Sequence, residues 1–162
     1  MTIHLRPATL DDVAFLADVV IAATMAQGRF PHDVTVDEYR TGYEDWTRET
    51  ITEASADCTL SVIERDGTPV GRLRVVHMPA DLTLAGIQIL PSYQNQGIGT
   101  TLIERLKREA EARDVALHIG VEKDNPRARR LYERLGCNLI GEDENEYHLV
   151  YRPATPRMLA AP

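Results

Sequence analysis

The segment that most constrains the fold is QNQGIGT at residues 94–100, which separates two apolar patterns of different period. The run LTLAGIQIL at 82–90 has the length and composition of a buried strand, whereas 98–113 repeats apolar residues at helical spacing. Glycines between a strand and a helix let a ligand approach the backbone closely. The unpaired N–H groups and partial positive charge of a helix N-terminus then predict an anion, most often a phosphate.

The rest of the chain alternates between strand and helix patterns. Strands are predicted over 3–6, 58–65, 70–78, 115–121, 137–141 and 146–153, and helices over 10–26, 36–54 and 126–136. DGTP at 66–69 predicts a turn between two strands. The strand–helix–strand unit over 82–121 predicts a parallel pair, and the hairpins around it predict antiparallel neighbours. The pattern therefore predicts an α/β fold with one mixed sheet and helices on both faces.

Length and composition narrow the function classes. The 162 residues, of which 43% are hydrophobic and 27% charged, predict one globular domain over 1–153 with a loose tail over 154–162. A net charge of −7 argues against non-specific nucleic-acid binding. No apolar run approaches the roughly 18 residues of a membrane helix, so we expect neither export nor a membrane span. Cys58 and Cys137 have no metal or redox spacing, and we expect reduced thiols in a cytoplasmic protein, with a single disulfide left open.

Three phosphate-binding patterns compete for the loop. A P-loop needs Gly-Lys followed by Ser or Thr, whereas this loop ends Gly-Ile-Gly-Thr. A dinucleotide fingerprint needs a third glycine where Leu102 stands, although Glu122 lies near the spacing of its acidic residue. The third pattern is Q-x-x-G-x-G, formed by Gln94, Gly97 and Gly99.

The third pattern resembles the pyrophosphate loop of the GCN5-related N-acetyltransferases (GNAT), written R/Q-x-x-G-x-G/A. A second motif of that family resembles N-x-x-A-x-x-L-Y-x-x-x-G-F, and here Cys137 stands where Phe is usual. The start RPATLDD and the hairpin DGTPVG are also similar, so the resemblance covers about residues 3 to 153. The matching residues of the second motif are Asn125, Ala128, Leu131, Tyr132 and Gly136.

The resemblance implies a GNAT-like, mostly antiparallel sheet of about seven strands whose central parallel pair splays apart to hold acetyl-CoA. Gly86 is a candidate for the bulge that opens the gap, since an interior strand glycine often marks one. Asn125 is implied near the pantetheine arm or the helix start, and an N-cap before Pro126 is a sound role by itself. The Gln94 side chain is implied near the pyrophosphate. The backbone expected along the pantetheine arm is that of Ile87, Gln88, Ile89 and Leu90, and the amides expected at the pyrophosphate are those of Gln96, Gly97, Ile98, Gly99 and Thr100.

The resemblance implies direct transfer of the acetyl group to a primary amine in a ternary complex. Tyr132 is implied as the general acid that protonates the departing thiolate, although its place on an apolar stripe also fits core packing. The Leu90 N–H is our candidate for polarising the thioester carbonyl. Three alternatives stay open: a non-catalytic acetyl-CoA-binding module, a binder of nucleotide phosphates, and transfer of a longer acyl group.

The base and the acceptor are left open by the sequence. Thr83 stands where the family often has a carboxylate base, and the remaining candidates are His77, His118, Glu122 and water-relayed proton loss. Residues 25–46 mix acidic and aromatic side chains, which fits either an acidic pocket for a cationic amine or a solvated helix with inward aromatics. A polyamine, an amino acid, an aminoglycoside-like drug and a peptide amine all remain candidate acceptors. No metal or nucleic acid is expected, and a homodimer stays open.

Overall fold

The computed structural model describes residues 1–154, so the tail predicted to be loose lies, from residue 155 on, outside the described residues. Strands and helices follow one another in the predicted order. The helices are α1 (Val13–Ala26), α2 (Val36–Thr52), α3 (Ile98–Arg113) and α4 (Pro126–Arg134). The strands are β1 (Ile3–Pro7), β2 (Cys58–Arg65), β3 (Thr68–His77), β4 (Asp81–Ile89), β5 (Ala116–Glu122), β6 (Asn138–Glu142) and β7 (Glu146–Tyr151).

The seven strands form one sheet in the order β1-β2-β3-β4-β5-β7-β6. Every neighbouring pair is antiparallel except β4 and β5, which are parallel and joined through α3. The predicted mixed, mostly antiparallel α/β fold is therefore confirmed. Cys58 and Cys137 are free thiols, as expected.

Both faces of the sheet are covered by helices. Leu102 and Ile103 of α3 share one apolar core with Ile63 of β2. Adjacent strand residues point to opposite faces, and Val62, next to Ile63, is fully buried on the other face. There α1 contacts β3 and β4 and buries its own apolar side, including Leu16. The sheet is thus the middle layer of the protein, as predicted.

The hairpin between β2 and β3 turns more tightly than predicted. Asp66 and Gly67 both have positive φ, at 48° and 83°, which is typical of a two-residue turn. Pro69, predicted to lie in the turn, instead lies inside β3 opposite Glu64. The register shifts next to this pair, and a proline is tolerated beside such an irregularity because one ladder hydrogen bond is already missing.

A buried carboxylate joins β1 to the start of α1. Both Nη atoms of Arg6 donate hydrogen bonds of 2.8 Å to Asp12, and the Thr9 N–H donates another of 2.8 Å. These donors, above all the Arg6 guanidinium, hold the pKa of Asp12 below its usual value. The first turn of the helical segment is thereby fixed against the edge strand.

The parallel strands β4 and β5 stay paired only at their beginnings. Their register runs from Asp81 opposite Ala116 to Leu84 opposite Ile119. Directly afterwards β4 bulges, since Arg74 and Val75 of β3 face Gly86 and Leu84 and leave Ala85 without a partner. The bulge expected at Gly86 therefore lies at Ala85 and Gly86, and beyond it β5 pairs only with β7. This separation opens the gap in which the site lies.

Among residues 1–154, no helix is both long and apolar enough to cross a membrane.

Candidate active site

A cavity of about 470 Å³ and another of about 690 Å³ lie at the open end of the central strands. We call the larger one the α3 cavity, because the first turn of α3 forms one wall of it. Most of the residues predicted at the loop, the open strand and α4 line it. These predicted residues are Ile87, Ile89, Gln94, Gly97, Ile98, Gly99, Thr100, Asn125 and Tyr132.

The N-terminus of α3 presents unpaired backbone donors to this cavity. Gly97 precedes the helix with a φ of 81°, a conformation that favours glycine. The first helical hydrogen bond runs from Thr101 N–H to the Gly97 carbonyl at 3.0 Å, and no side chain of residues 1–154 caps the helix. The preceding N–H groups, those of residues 98 to 100, are left to a ligand or water. This end of α3 can therefore bind an anion.

The open edge of β4 is formed by Ile87 and Ile89. The Leu90 N–H donates a 2.8 Å hydrogen bond to the Val70 carbonyl of β3, so the polar backbone atoms of Leu90 point toward β3. In an antiparallel ladder, the backbone N–H and C=O groups of successive residues point to alternate sides of the strand. Those of Gln88 therefore also point toward β3, whereas those of Ile87 and Ile89 point into the gap. The contacts expected for Leu90 and Gln88 are therefore wrong. The sequence could not reveal this, because the bulge sets which residues face the gap.

The two glutamines of the loop have different surroundings. Gln94 lines the cavity, and its side chain donates a 2.9 Å hydrogen bond to the Ile89 carbonyl. The Gln96 side chain does not line the cavity; it donates to the Ser92 carbonyl at 3.1 Å and accepts from Arg65. Only Gln94 thus lies where the sequence predicts a ligand.

Tyr132 is both a core residue and a wall of the cavity. It is 6% exposed, and burial raises the pKa of its hydroxyl to about 12. The hydroxyl therefore keeps its proton at neutral pH and has a proton to donate there. Asn125 also has two roles, because its side chain accepts from the Ala128 N–H at 3.3 Å, as an N-cap, and lines the cavity.

Three arginines of α4 line the cavity, and none of them was predicted from the sequence. Arg127, Arg130 and Arg134 recur at positions i, i+3 and i+7, which places them on one side of a helix. Their neighbour Arg129 instead pairs with Glu133 at 2.6 Å. The spacing in PRARRLYER was the available signal. These side chains supply positive charge to a loop that has glutamine where the GNAT family often has arginine.

The smaller cavity, which we call the acceptor-face cavity, lies on the other face of the sheet. Ile119 belongs to the core under α3, so His118 and Gly120 point the opposite way. Thr83, His118, Gly120 and Glu146 line this cavity. A Cβ built on Gly120 would lie 2.8 Å from a Glu146 carboxylate oxygen, so that carboxylate lies directly against the open end of β5.

The other candidate bases lie elsewhere. His77 pairs with Glu109 of α3 at 3.0 Å, near the paired beginning of β4 rather than its open end. Glu122 is ion-paired with Arg29, which also holds Asp124 at 2.8 Å. Of the histidines considered from sequence, His118 is therefore the one that the fold brings to the gap.

The second half of the acidic and aromatic segment folds as the solvated helix α2, on which Tyr39 and Tyr43 are half-buried and Trp46 is 37% exposed. Rings of Phe30, Tyr39, Tyr43 and Trp46 form a row with successive centroid distances of 5.1, 6.4 and 5.6 Å. The carboxylates of the segment are exposed or paired with arginines, as in the pair Glu44 and Arg48 at 3.4 Å. The solvated-helix alternative therefore describes these carboxylates, and an acidic pocket for a cationic amine stays a prediction.

Comparison with known proteins gives matches in sequence. The profile of the acetyltransferase (GNAT) family matches residues 21–137. The [ribosomal protein bS18]-alanine N-acetyltransferase of Escherichia coli (strain K12) is 43% identical over 68 residues, which are 41% of this chain and 46% of that protein. The chain thus spans about half the length of the curated relatives it matches.

Comparison of structures gives matches over nearly the whole chain. The PaiA N-acetyltransferase of Thermoplasma acidophilum, solved in complex with coenzyme A, superposes with a TM-score of 0.78 at 16% identity, over 94% of this chain and 99% of that one. An acetyltransferase from Thermus thermophilus gives a TM-score of 0.73 at 20% identity, over 94% and 97%. At these identities the likeness establishes the fold.

Proposed function

The chain belongs to the acetyltransferase (GNAT) family, and on that premise we propose that it binds acetyl-CoA and transfers the acetyl group to a primary amine. One observation carries the proposal. A single cavity joins the uncapped N-terminus of α3, the open edge of β4 and the buried hydroxyl of Tyr132. An anion site, an edge for backbone pairing and a proton donor are the three features that a CoA thioester needs.

Three features of the cavity fit the parts of acetyl-CoA. The pyrophosphate suits the N–H groups of residues 98 to 100, which no side chain in the described part of the chain caps. Arg127, Arg130 and Arg134 add the positive charge that phosphates require. The amides of the pantetheine arm suit the backbone of Ile87 and Ile89, much as an added strand would pair with a free edge.

Acetyl-CoA supplies an activated acetyl group and a thiolate leaving group. The Ile87 N–H, which points into the gap, is our candidate to hydrogen-bond the carbonyl oxygen as negative charge develops there, in the role first expected of Leu90. Holding both substrates at this point turns a bimolecular reaction into one between neighbours, which by itself lowers the barrier considerably.

Tyr132 is our candidate for the proton donor to the departing sulfur. Because burial raises the pKa of the hydroxyl to about 12, the proton stays on the oxygen until the sulfur becomes negatively charged. The same burial makes Tyr132 unsuitable as a base at neutral pH.

The amine must lose a proton before or during attack, since a free alkylamine has a pKa of about 10.4. We propose that this proton leaves through the acceptor-face cavity. His118 and Glu146 line that cavity beside the open end of β5, and each can accept a proton directly or through water.

A non-catalytic acetyl-CoA-binding module is the second candidate function. The observation in its favour is Thr83, which lines the acceptor-face cavity where the family often has a carboxylate. Two measurements together distinguish the transferase from the binding module. One is the release of free CoA from acetyl-CoA with pooled amines, and the other is thermal unfolding of the protein in the presence of acetyl-CoA. A transferase gives release with at least one pool, whereas a binding module gives a thermal shift and no release. ATP serves as the control ligand, and stronger stabilisation by ATP would contradict both.

A further inference from the structure

Three polar groups buried between α2 and β3 lack a hydrogen-bond partner within residues 1–154. They are the Tyr43 hydroxyl, the Arg72 Nε and the Arg74 Nε. All three can donate a hydrogen bond, and within residues 1–154 none of them has an acceptor at normal hydrogen-bond distance and angle. Buried donors of proteins are paired in the great majority of cases, so a cluster of three unpaired ones calls for an acceptor from outside the chain.

Arg72 is the centre of this cluster. It is 5% exposed, and its guanidinium lies 5.8 Å from the centre of the Tyr43 ring and 5.9 Å from that of Trp46. Arg74 lies 5.5 Å from the Trp46 ring. Arg72 donates to the Gln88 side chain, but within the described part of the chain no carboxylate lies within 4 Å of either arginine.

An arginine buried in this way is costly to the folded protein. Removing a cation from water costs several kcal/mol, which a paired carboxylate normally offsets. Burial accordingly lowers the pKa of Arg72, and the charge of Arg74 lowers it further. Aromatic rings and one amide oxygen recover part of the cost. The remaining cost is explained if an anion binds there during function.

The cluster lies beside the proposed point of acetyl transfer. A Cβ built on Gly86 would come within 2.9 Å of the Arg72 Nη1, so the guanidinium lies against β4 at the bulge. Ile87, whose N–H faces the gap, is the next residue. Since the α3 cavity occupies one face of the sheet, the acceptor approaches from the other, where Arg72 and Val62 point.

We propose that Arg72, Arg74 and Tyr43 form a subsite for the carboxylate of the acceptor, so that the acceptor is a small amine of the amino-acid type. This inference rests on the proposed function. A guanidinium binds a carboxylate through two parallel hydrogen bonds, and the phenol hydroxyl adds a third donor. A carboxylate held at Gly86 leaves the amine, a few bonds away, to reach the gap. Two neighbouring arginines repel polyamines and aminoglycosides.

The test uses acceptors in matched pairs: each amino acid beside its C-terminal amide, which keeps the amine and removes the negative charge. A tripeptide amide and spermidine complete the panel. We expect kcat/KM for CoA release to be at least about tenfold higher for the acid than for its amide, since a charged hydrogen bond contributes about 1.5–3 kcal/mol. Equal rates for the two, or faster transfer to the tripeptide amide or spermidine, would overturn the inference.

The variants are Arg72→Met and, as control, Arg108→Met, which removes an exposed arginine of α3. In Arg72→Met the preference for the acid falls to about one, while the thermal midpoint stays the same or rises because an unpaired buried charge is gone. Arg108→Met keeps the preference. A preference that survives in Arg72→Met would contradict the subsite. If that variant does not fold, Arg72→Lys replaces it. Lysine keeps the positive charge but cannot form two parallel hydrogen bonds, so it also lowers the preference for the acid over the amide.

A binding measurement separates this inference from the proposed function. Thermal unfolding of the CoA-bound protein is recorded with the same acids and amides. Stabilisation by an acid and not by its amide, lost in Arg72→Met and kept in Arg108→Met, supports the subsite whether or not transfer occurs. No acid-specific stabilisation, or a crystal structure with an acid in which ordered waters alone contact the three groups, overturns it. Failure of the proposed function itself is recognised by absent CoA release from every amine.

Discussion

The side-chain amide of Gln94 donates a 2.9 Å hydrogen bond to the carbonyl of Ile89, and so joins the loop before α3 to the open edge of β4. The Ile89 carbonyl faces the gap and has no β5 neighbour at this level, because β4 and β5 stop pairing at Leu84 and Ile119. Gln94 replaces that missing partner. The glutamine of the loop pattern therefore shapes the binding cavity, in addition to lining it.

Gln94→Glu should weaken binding of acetyl-CoA by about tenfold. A carboxylate of the same shape cannot donate to the Ile89 carbonyl and repels it, so the edge of β4 loses its support. Isothermal titration with acetyl-CoA measures the effect. Gln96→Glu is the control, because it makes the same change two residues away on a side chain outside the cavity. Equal affinities in the two variants would contradict the role given to Gln94.

Gly97→Ala should also weaken acetyl-CoA binding, by about tenfold or more. Gly97 has a φ of 81°, and a Cβ there meets no atom of the described residues within 4 Å, so it would project into the space that we propose for the ligand. Gly67→Ala is matched in conformation, with a φ of 83° and equally open surroundings. Both variants should lose about 1 kcal/mol of unfolding free energy, as alanine does at positive φ. Only the change at residue 97 should alter affinity, and the reverse result would rule out an anion at this turn.

Tyr132→Phe should lower kcat by about 10²-fold or more and leave acetyl-CoA affinity nearly unchanged. The change removes only the hydroxyl that we propose as proton donor, and such donors contribute about 10²–10⁴-fold. Tyr151→Phe is the control: its hydroxyl donates to Glu111 at 2.5 Å and does not line the α3 cavity. Steady-state rates of CoA release with one accepted amine decide the matter. Unchanged turnover in Tyr132→Phe would remove the residue from this role.

Asp12→Asn should destabilise the protein by about 1–3 kcal/mol at pH 7, because Arg6 would lose the nearer of its two carboxylate partners, Asp12 at 2.8 Å, and keep Glu64 at 3.5 Å. The folded pKa of Asp12 lies below its unfolded value, so this contribution is present above about pH 4 and is lost as the pH falls through the folded pKa. Urea unfolding between pH 7 and pH 3 should therefore show the two proteins converging at low pH. Asp11→Asn, at an exposed neighbour, should have no such effect. A constant difference at every pH would contradict the argument.

The elements of the fold follow from local patterns. The helical spacing of apolar residues after the glycine loop predicts both ends of α3 to the residue. The alternating pattern of CTLSVIER likewise predicts both ends of β2. These segments combine propensity, period and end signals that agree with one another. Boundaries shift where a turn is tighter than its sequence suggests, as at Pro69.

The site is less predictable, because it depends on register and on contacts between distant segments. Leu90 and Ile87 cannot be told apart by composition, and only the bulge decides which one faces the gap. In the sequence, Arg72 looks like an ordinary strand residue. Its neighbours in the chain do not reveal that α2 covers it, or that no carboxylate among the described residues pairs with it. Arg127, Arg130 and Arg134, in contrast, carried a helical spacing that could have been recognised.

The most direct test of the central claim is release of free CoA thiol from acetyl-CoA by the purified protein with pooled amines: amino acids, polyamines, aminoglycosides and peptides. The proposed function predicts release with at least one pool, dependent on both the amine and the protein. It also predicts that mass spectrometry finds one added acetyl group on the consumed amine. A protein that acetyl-CoA stabilises against heat but that releases no CoA with any pool would contradict acetyl transfer and leave only a binding site.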